Sequence, residues 1–291
     1  MPLAYYDGEF VEKESIKISP FDYGFARGVT VFEFVRLYGG VPFRLDAHIK
    51  RFMRGAEAMA IPQPLYPYEI QKAVTHLATE NKFPHSTIKF YLTIGECPAH
   101  SAFGFKHCQD FTPHLMMIEE VINTKHPDAP RGKEVHDLGI TLKTVPFTRQ
   151  MPHVKSVNYA AGFVTARALV GTEYDEILYQ HTDGYVTETT TSNFFCVLDG
   201  VLVTPGRDLL NGTVRDVLLE LAQKSGIRVA EKDVTMDDLR RASTAFITNT
   251  STEMLSVRKI DNITYLATTN DPVYAKLRQA LTACIKAECE S

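Results

Sequence analysis

Residues 152–159 read Pro152-His153-Val154-Lys155-Ser156-Val157-Asn158-Tyr159, and residues 185–195 read Tyr185-Val186-Thr187-Glu188-Thr189-Thr190-Thr191-Ser192-Asn193-Phe194-Phe195. The first run sets one lysine between an apolar stretch and a helix predicted over about 159–170. In the second, a strand opened by the Asp183-Gly184 turn ends on a carboxylate, passes through small hydroxyl residues and resumes as an apolar strand. Working outward, the pattern predicts strands at 138–145, 176–180, 185–188, 193–198 and 201–203. Between and after them come helices at about 159–170, 213–225, 236–242 and 272–288. Asp199-Gly200 marks a further hairpin, and Asp271-Pro272 opens the last helix with an N-cap and a proline in its first turn.

Toward the N-terminus the pattern differs. A strand meander carries the turns Asp7-Gly8 and Gly39-Gly40, with Val31 to Tyr38 rich in strand formers. Leu45, Ile49, Phe52, Met53, Ala56 and Ala60 recur at helical spacing and predict a helix over 46–60, followed by a second over 68–80. Strands follow at 88–94 and 114–122. The polar, proline-bearing stretch 123–132 reads as a linker. The sequence therefore predicts an α/β protein of two domains: a smaller α+β N-terminal domain over 1–122, and a larger α/β domain over 133–291 that carries Lys155.

Composition narrows the function. The chain has 291 residues, 44% hydrophobic and 23% charged, with a net charge of −4 and the signs interspersed. No basic face invites nucleic acid or anionic lipid, and no apolar run is long enough for a membrane helix. No secretory leader is visible, and five cysteines without a C-x-x-C pair point to reduced thiols and no metal site. The expectation is a cytoplasmic protein.

Lys155 on its own reads as a surface lysine, yet Pro146-Phe147, Met151-Pro152 and the following helix pin its loop between core elements. Glu188 ends an apolar strand, where a buried carboxylate needs a cationic partner to stay ionised. A lysine to form a Schiff base and a separate buried acid to keep a pyridine nitrogen protonated are the groups that pyridoxal phosphate requires. Asn211-Gly212-Thr213-Val214 feeds a helix N-terminus, whose amides suit a phosphate. Phe246-Ile247-Thr248-Asn249-Thr250-Ser251-Thr252 runs from an apolar strand into small polar residues that suit an oxyanion. Arg51 projects beyond the apolar stripe of its helix and offers a planar fork for a phosphate.

With these residues in place, the chain resembles the class IV aminotransferases, fold type IV pyridoxal phosphate enzymes that include D-amino acid transaminases, branched-chain aminotransferases and aminodeoxychorismate lyases. The resemblance runs from about Tyr5 to Ile260. It rests on Asp22-Tyr23-Gly24-Phe25 with Phe32-Glu33, Asp46 to Arg51, Lys155 to Asn158, Thr187-Glu188 with Ser192 to Phe195, Asn211 to Asp216, and Thr250 to Glu253. It implies pyridoxal 5'-phosphate bound to Lys155 in a cleft between the domains, with Glu188 on the ring nitrogen. Arg51, the amides of Thr213 and Val214 and the Thr250 hydroxyl would bind the phosphate, Tyr159 the phenolic oxygen, and the Ser251 amide the substrate carboxylate. It also implies a homodimer with a shared active site, taking an amino donor and a 2-oxo acid.

Departures from the family pattern bear on substrate. Val214 replaces a threonine, and Thr30 stands where the family carries a second glycine before Phe-Glu. The Arg-x-His carboxylate trap of D-amino acid transaminases reduces to His100, and the branched-chain Tyr-x-Arg-Pro run is absent. Arg27, flanked by Ala26 and Gly28, is the expected replacement anchor. The leading expectation is a transaminase favouring D-amino acids. The alternatives are a branched-chain L-amino acid aminotransferase, an (R)-selective amine transaminase and an aminodeoxychorismate lyase.

Overall fold

The computed structural model describes residues 1–97, 110–122, 138–265 and 268–289. The predicted linker at 123–132 and His100 lie outside them. The chain forms two compact units, the first drawn from Met1–Ile122, Val154–Asn158 and Glu288–Ser291, the second from Asn123–His153 and Tyr159–Ala287.

The first unit is a six-stranded antiparallel sheet with helices packed on it. Its strands are β1 (Leu3–Tyr6), β2 (Glu9–Glu12), β3 (Thr30–Tyr38), β4 (Val41–Pro42), β5 (His85–Glu96) and β6 (Thr112–Val121), in the order β2-β1-β6-β5-β3-β4. Its helices are α1 (Tyr23–Arg27), α2 (Leu45–Ala58) and α3 (Pro67–Asn81). Alternation along β3 sends Val31, Val35 and Leu37 into one core with Ile49 and Phe52 of α2 and Ile70, Val74 and Leu77 of α3. Phe52 and Phe90 meet edge to face at its centre, 5.7 Å between centroids.

The lysine segment corrects the domain boundary read from the sequence. Val154–Asn158 groups with the first unit, not the second, because it pairs along the start of β3. Phe32 N–H donates to Lys155 O at 2.9 Å, Val157 N–H to Thr30 O at 3.2 Å, and Val31 bridges Ser156. Val154 is buried in the first core. Sequence order alone could not reveal this long-range pairing.

The second unit contains β7 (Ile140–Pro146), α4 (Ala160–Arg167), β8 (Glu176–Gln180), β9 (Tyr185–Thr189), β10 (Asn193–Leu198), β11 (Val201–Pro205), α5 (Thr213–Lys224), β12 (Val229–Lys232), β13 (Val234–Thr235), α6 (Met236–Arg241), β14 (Thr244–Asn249), β15 (Glu253–Ile260), β16 (Ile263–Thr264) and all but the last two residues of α7 (Pro272–Cys289). Its sheet runs β12-β11-β10-β14-β15-β7-β8-β9-β13, with β16 on β15. β9 also pairs with β10 through a bridge between Glu188 and Asn193, so six strands close into a ring. Leu142, Leu178, Val186, Phe194, Ile247 and Leu255, one from each of those strands, share one core. Every residue of β9 and β10 is buried, the polar Thr187, Glu188, Thr189 and Asn193 among them.

Cys97 is disulfide-bonded, which corrects the expectation of reduced thiols throughout, whereas Cys196 is free. Burial pushes the Cys196 thiol up to about 12, leaving it inert. Among the described residues no helix is long and apolar enough to cross a membrane, and no cluster of three metal-ligating side chains occurs.

Gly95 holds a φ of +84° where the β5–β6 register shifts, and a Cβ there would lie 1.7 Å from Thr112 O. Gly95→Ala is expected to cost more than about 1 kcal/mol, and Phe90→Ala about 3–5 kcal/mol by cavity formation. Urea unfolding of both variants checks these values.

Candidate active site

In the first unit, β3 and the lysine segment bring one set of the expected residues together. Lys155 is half-buried, its Nζ 4.3 Å from the centroid of the Phe32 ring, a position that favours an ammonium. Phe32 in turn stacks on Tyr91 of β5 at 6.1 Å. Thr30, at the position where the family carries glycine, is buried and its carbonyl takes the Val157 N–H.

Glu33 points to the core face of β3 among apolar neighbours and is wholly buried. Arg51 of α2 forks onto it, Nε to Oε2 at 2.9 Å and an Nη to Oε1 at 2.7 Å, and the Phe34 amide donates to it at 2.8 Å. Burial works against ionisation of Glu33, yet Arg51 and His48 outweigh it and hold the carboxyl far below the usual carboxylate range. His48 Nδ1 lies 3.0 Å from Glu33 Oε1. Burial keeps the His48 imidazole below its ordinary value despite Glu33.

Arg51 is therefore buried at 7% rather than projecting to solvent, and two of its five N–H donors serve Glu33. The sequence reading missed Glu33 and His48 as its partners. The available signal was an acid interrupting an apolar alternation on β3. Arg27 ends α1, which Gly28 closes with φ +72°, and is exposed in this chain.

The second unit gathers its own set around Glu188, which is 3% exposed. Arg149, in the loop after β7, pairs with Glu188 Oε1 at 2.5 Å, and the Leu210 amide donates to Oε2 at 3.1 Å. Sequence reasoning missed Arg149; a cationic partner was required but the loop bore no pattern to locate it. Tyr179 lies beside the same charges. Burial first, then Glu176, pushes its phenol up to about 12, with Arg149, Glu188 and Tyr159 also acting on it. Tyr159 is half-buried and caps α4.

Gly212 is the N-cap of α5 and its helix end has no side-chain cap, while Thr213 and Val214 are buried just inside it. On β14, Thr248 is 1% exposed and its Oγ1 has no hydrogen-bond partner; Thr248 is the register partner of Asn193, whose Oδ1 abuts Gly212. Thr250 is half-buried in the turn that follows. The Ser251 amide is already engaged, donating to Asn249 Oδ1 at 2.8 Å, so a substrate carboxylate there would have to compete for it.

The family model for class IV amino-transferases matches residues 30–260. A putative branched-chain-amino-acid aminotransferase of Methanocaldococcus jannaschii is 31% identical over 88% of this chain and 87% of that protein. A D-alanine aminotransferase of Listeria monocytogenes is 28% identical over 97% of this chain and 96% of its own length. A solved T.th. branched-chain amino acid aminotransferase with pyridoxamine 5'-phosphate superposes with a TM-score of 0.86 at 26% identity, covering 99% of this chain and 94% of that one. The chain belongs to the class IV aminotransferases and is a pyridoxal phosphate-dependent enzyme of fold type IV.

The residues present fit that cofactor. An uncapped helix end and an orphaned buried hydroxyl suit a phosphate, and an ionised buried carboxylate suits a pyridinium.

Breaking the buried pair by Glu33→Gln is expected to cost about 3–5 kcal/mol of unfolding free energy. His48, held neutral in the fold, contributes stability that is present above its unfolded pKa and lost as pH falls below about 6.5; Glu33, held ionised, loses its contribution only further into acid. Urea unfolding at pH 7.5 and 5 should show a loss in wild type that is smaller in His48→Asn.

Proposed function

We propose that this enzyme moves an amino group between an amino acid and a 2-oxo acid, with D-amino acids the favoured donors. The observation that carries the chemistry is Glu188, a buried carboxylate kept ionised by Arg149 and the Leu210 amide. Such a group can hold the pyridine nitrogen's proton. When bound, pyridoxal phosphate supplies the electron sink for the pair left when a donor's α-proton departs.

The protein's residues do the rest. Lys155 Nζ would hold the cofactor's aldehyde carbon and, when free, would take the donor's α-proton and hand it back one carbon away. The Phe32 ring face beneath Nζ steadies the ammonium between those transfers. The amides of Thr213 and Val214, with Arg51 and the Thr250 hydroxyl, would hold the phosphate, and Tyr159 would steady the phenolic oxygen. Arg27, His100 and the Ser251 amide remain the proposed carboxylate contacts.

The preference for D-donors rests on Lys155-Ser156, Thr187-Glu188 and Ser192-Asn193, which look most like the D-amino acid branch. A second reading, branched-chain L-amino acids, is favoured by the 31% identity to the archaeal relative. A homodimer with a shared site is supported by the exposure of Phe21 and Phe25 in the first unit and of Phe163 and Val164 in the second.

Lys155→Ala should abolish turnover while the protein stays folded, and borohydride reduction followed by peptide mapping should label Lys155 alone. Glu188→Gln should lower kcat on the order of 100-fold or more with little loss of cofactor affinity. Arg51→Lys should weaken cofactor retention by about 1.5–3 kcal/mol. Half-reaction rates with D- and L-alanine, D- and L-glutamate, L-leucine and (R)-1-phenylethylamine decide the donor. L-Leucine as the best donor replaces the first reading by the second.

A further inference from the structure

Three contacts converge on the turn that precedes α5. The Leu210 amide donates to Glu188 Oε2 at 3.1 Å, while the Leu210 carbonyl accepts from Asn193 Nδ2 at 2.7 Å. Asn193 Nδ2 is also 3.5 Å from Glu188 Oε2, and the two residues face each other across the bridge that closes the strand ring. On its other side, Asn193 Oδ1 fills the space beside Gly212: a Cβ at that N-cap would lie 2.0 Å from the oxygen. One buried amide, 5% exposed, thus touches the acid, the turn and the helix cap together.

We infer that Asn193, seated against Gly212, is a positioning residue that ties Glu188 to the N-terminal end of α5 and so fixes the spacing between the two ends of the cofactor site. This rests on the reading above, in which Glu188 serves the ring nitrogen and α5 the phosphate. The cofactor's nitrogen and phosphate are a fixed span apart. Two contacts on separately moving segments would satisfy one end at the other's expense; a shared clamp satisfies both without reorganisation. Asn193 reaches neither end itself. It acts through Glu188, Leu210 and Gly212.

The signature is a residue that moves readouts at both ends. On the purified full chain stripped of cofactor, the ratio of affinities for pyridoxal 5'-phosphate and pyridoxal reports the phosphate end. The pH midpoint of the bound cofactor's absorbance reports the acid. Asn193→Ala is expected to weaken pyridoxal 5'-phosphate binding about tenfold, lower that ratio severalfold and shift the midpoint by about half a unit or more. Gly212→Ala, which drives a methyl into Asn193 Oδ1, should do the same. In the Asn193→Ala background the Gly212→Ala change should be close to neutral, because the space is then open.

Thr204→Val is the control for lost stability alone. Thr204 is fully buried in the neighbouring β11, its hydroxyl donating to Phe194 O at 2.8 Å. If Asn193→Ala behaves like Thr204→Val, lowering Tm but leaving ratio and midpoint in place, the clamp is overturned. Additive effects of the 193 and 212 substitutions overturn it as well. If Glu188→Gln leaves the midpoint unmoved, the assignment of the acid itself fails, and that outcome is distinct from failure of the clamp.

Discussion

A carboxylate inside a protein stays charged only where the surroundings replace the water it has lost, and Glu188 is the place where this fold meets that demand. Its two oxygens are divided between partners, Arg149 on one and the Leu210 amide on the other. The residue also sits at the bridge where β9 meets β10 and the second unit's strands close on themselves. Strand closure, burial of the ring core and the chemistry of the acid are therefore set by the same few residues.

The first unit solves the same problem independently. Glu33 is deeper still and takes the full fork of Arg51, with His48 beside it kept neutral by burial. This pair costs desolvation and returns geometry: it fixes α2 against β3 at the point where β3 receives the lysine segment. The arginine is thus held in one orientation before any ligand arrives. Phe32, one residue away on the opposite face of the strand, carries Lys155 on its ring. Alternation along a single strand separates the packing of the helix from the placing of Lys155.

Much of this was legible in the residues. The helices at 45–58, 213–224 and 272–289 announce themselves by apolar spacing and caps, and the hairpins at Asp183-Gly184 and Asp199-Gly200 by turn chemistry. Lys155 and Glu188 stood out because each interrupts apolar sequence. Arg149, His48 and the clamp formed by Asn193 did not stand out. Their significance lies in partners 39, 15 and 17 residues away, and no local periodicity encodes such pairing.

By itself the sequence determined the element types, the two-part organisation and the family, and it singled out Lys155 and Glu188, because those follow from side-chain chemistry and from periods of two and 3.6 residues. Tertiary structure alone decided that the lysine segment belongs to the first unit and that Arg51 is buried against Glu33. Each of these depends on which distant strand or helix supplies the next hydrogen bond. A chain specifies that choice only through the packing of the whole unit.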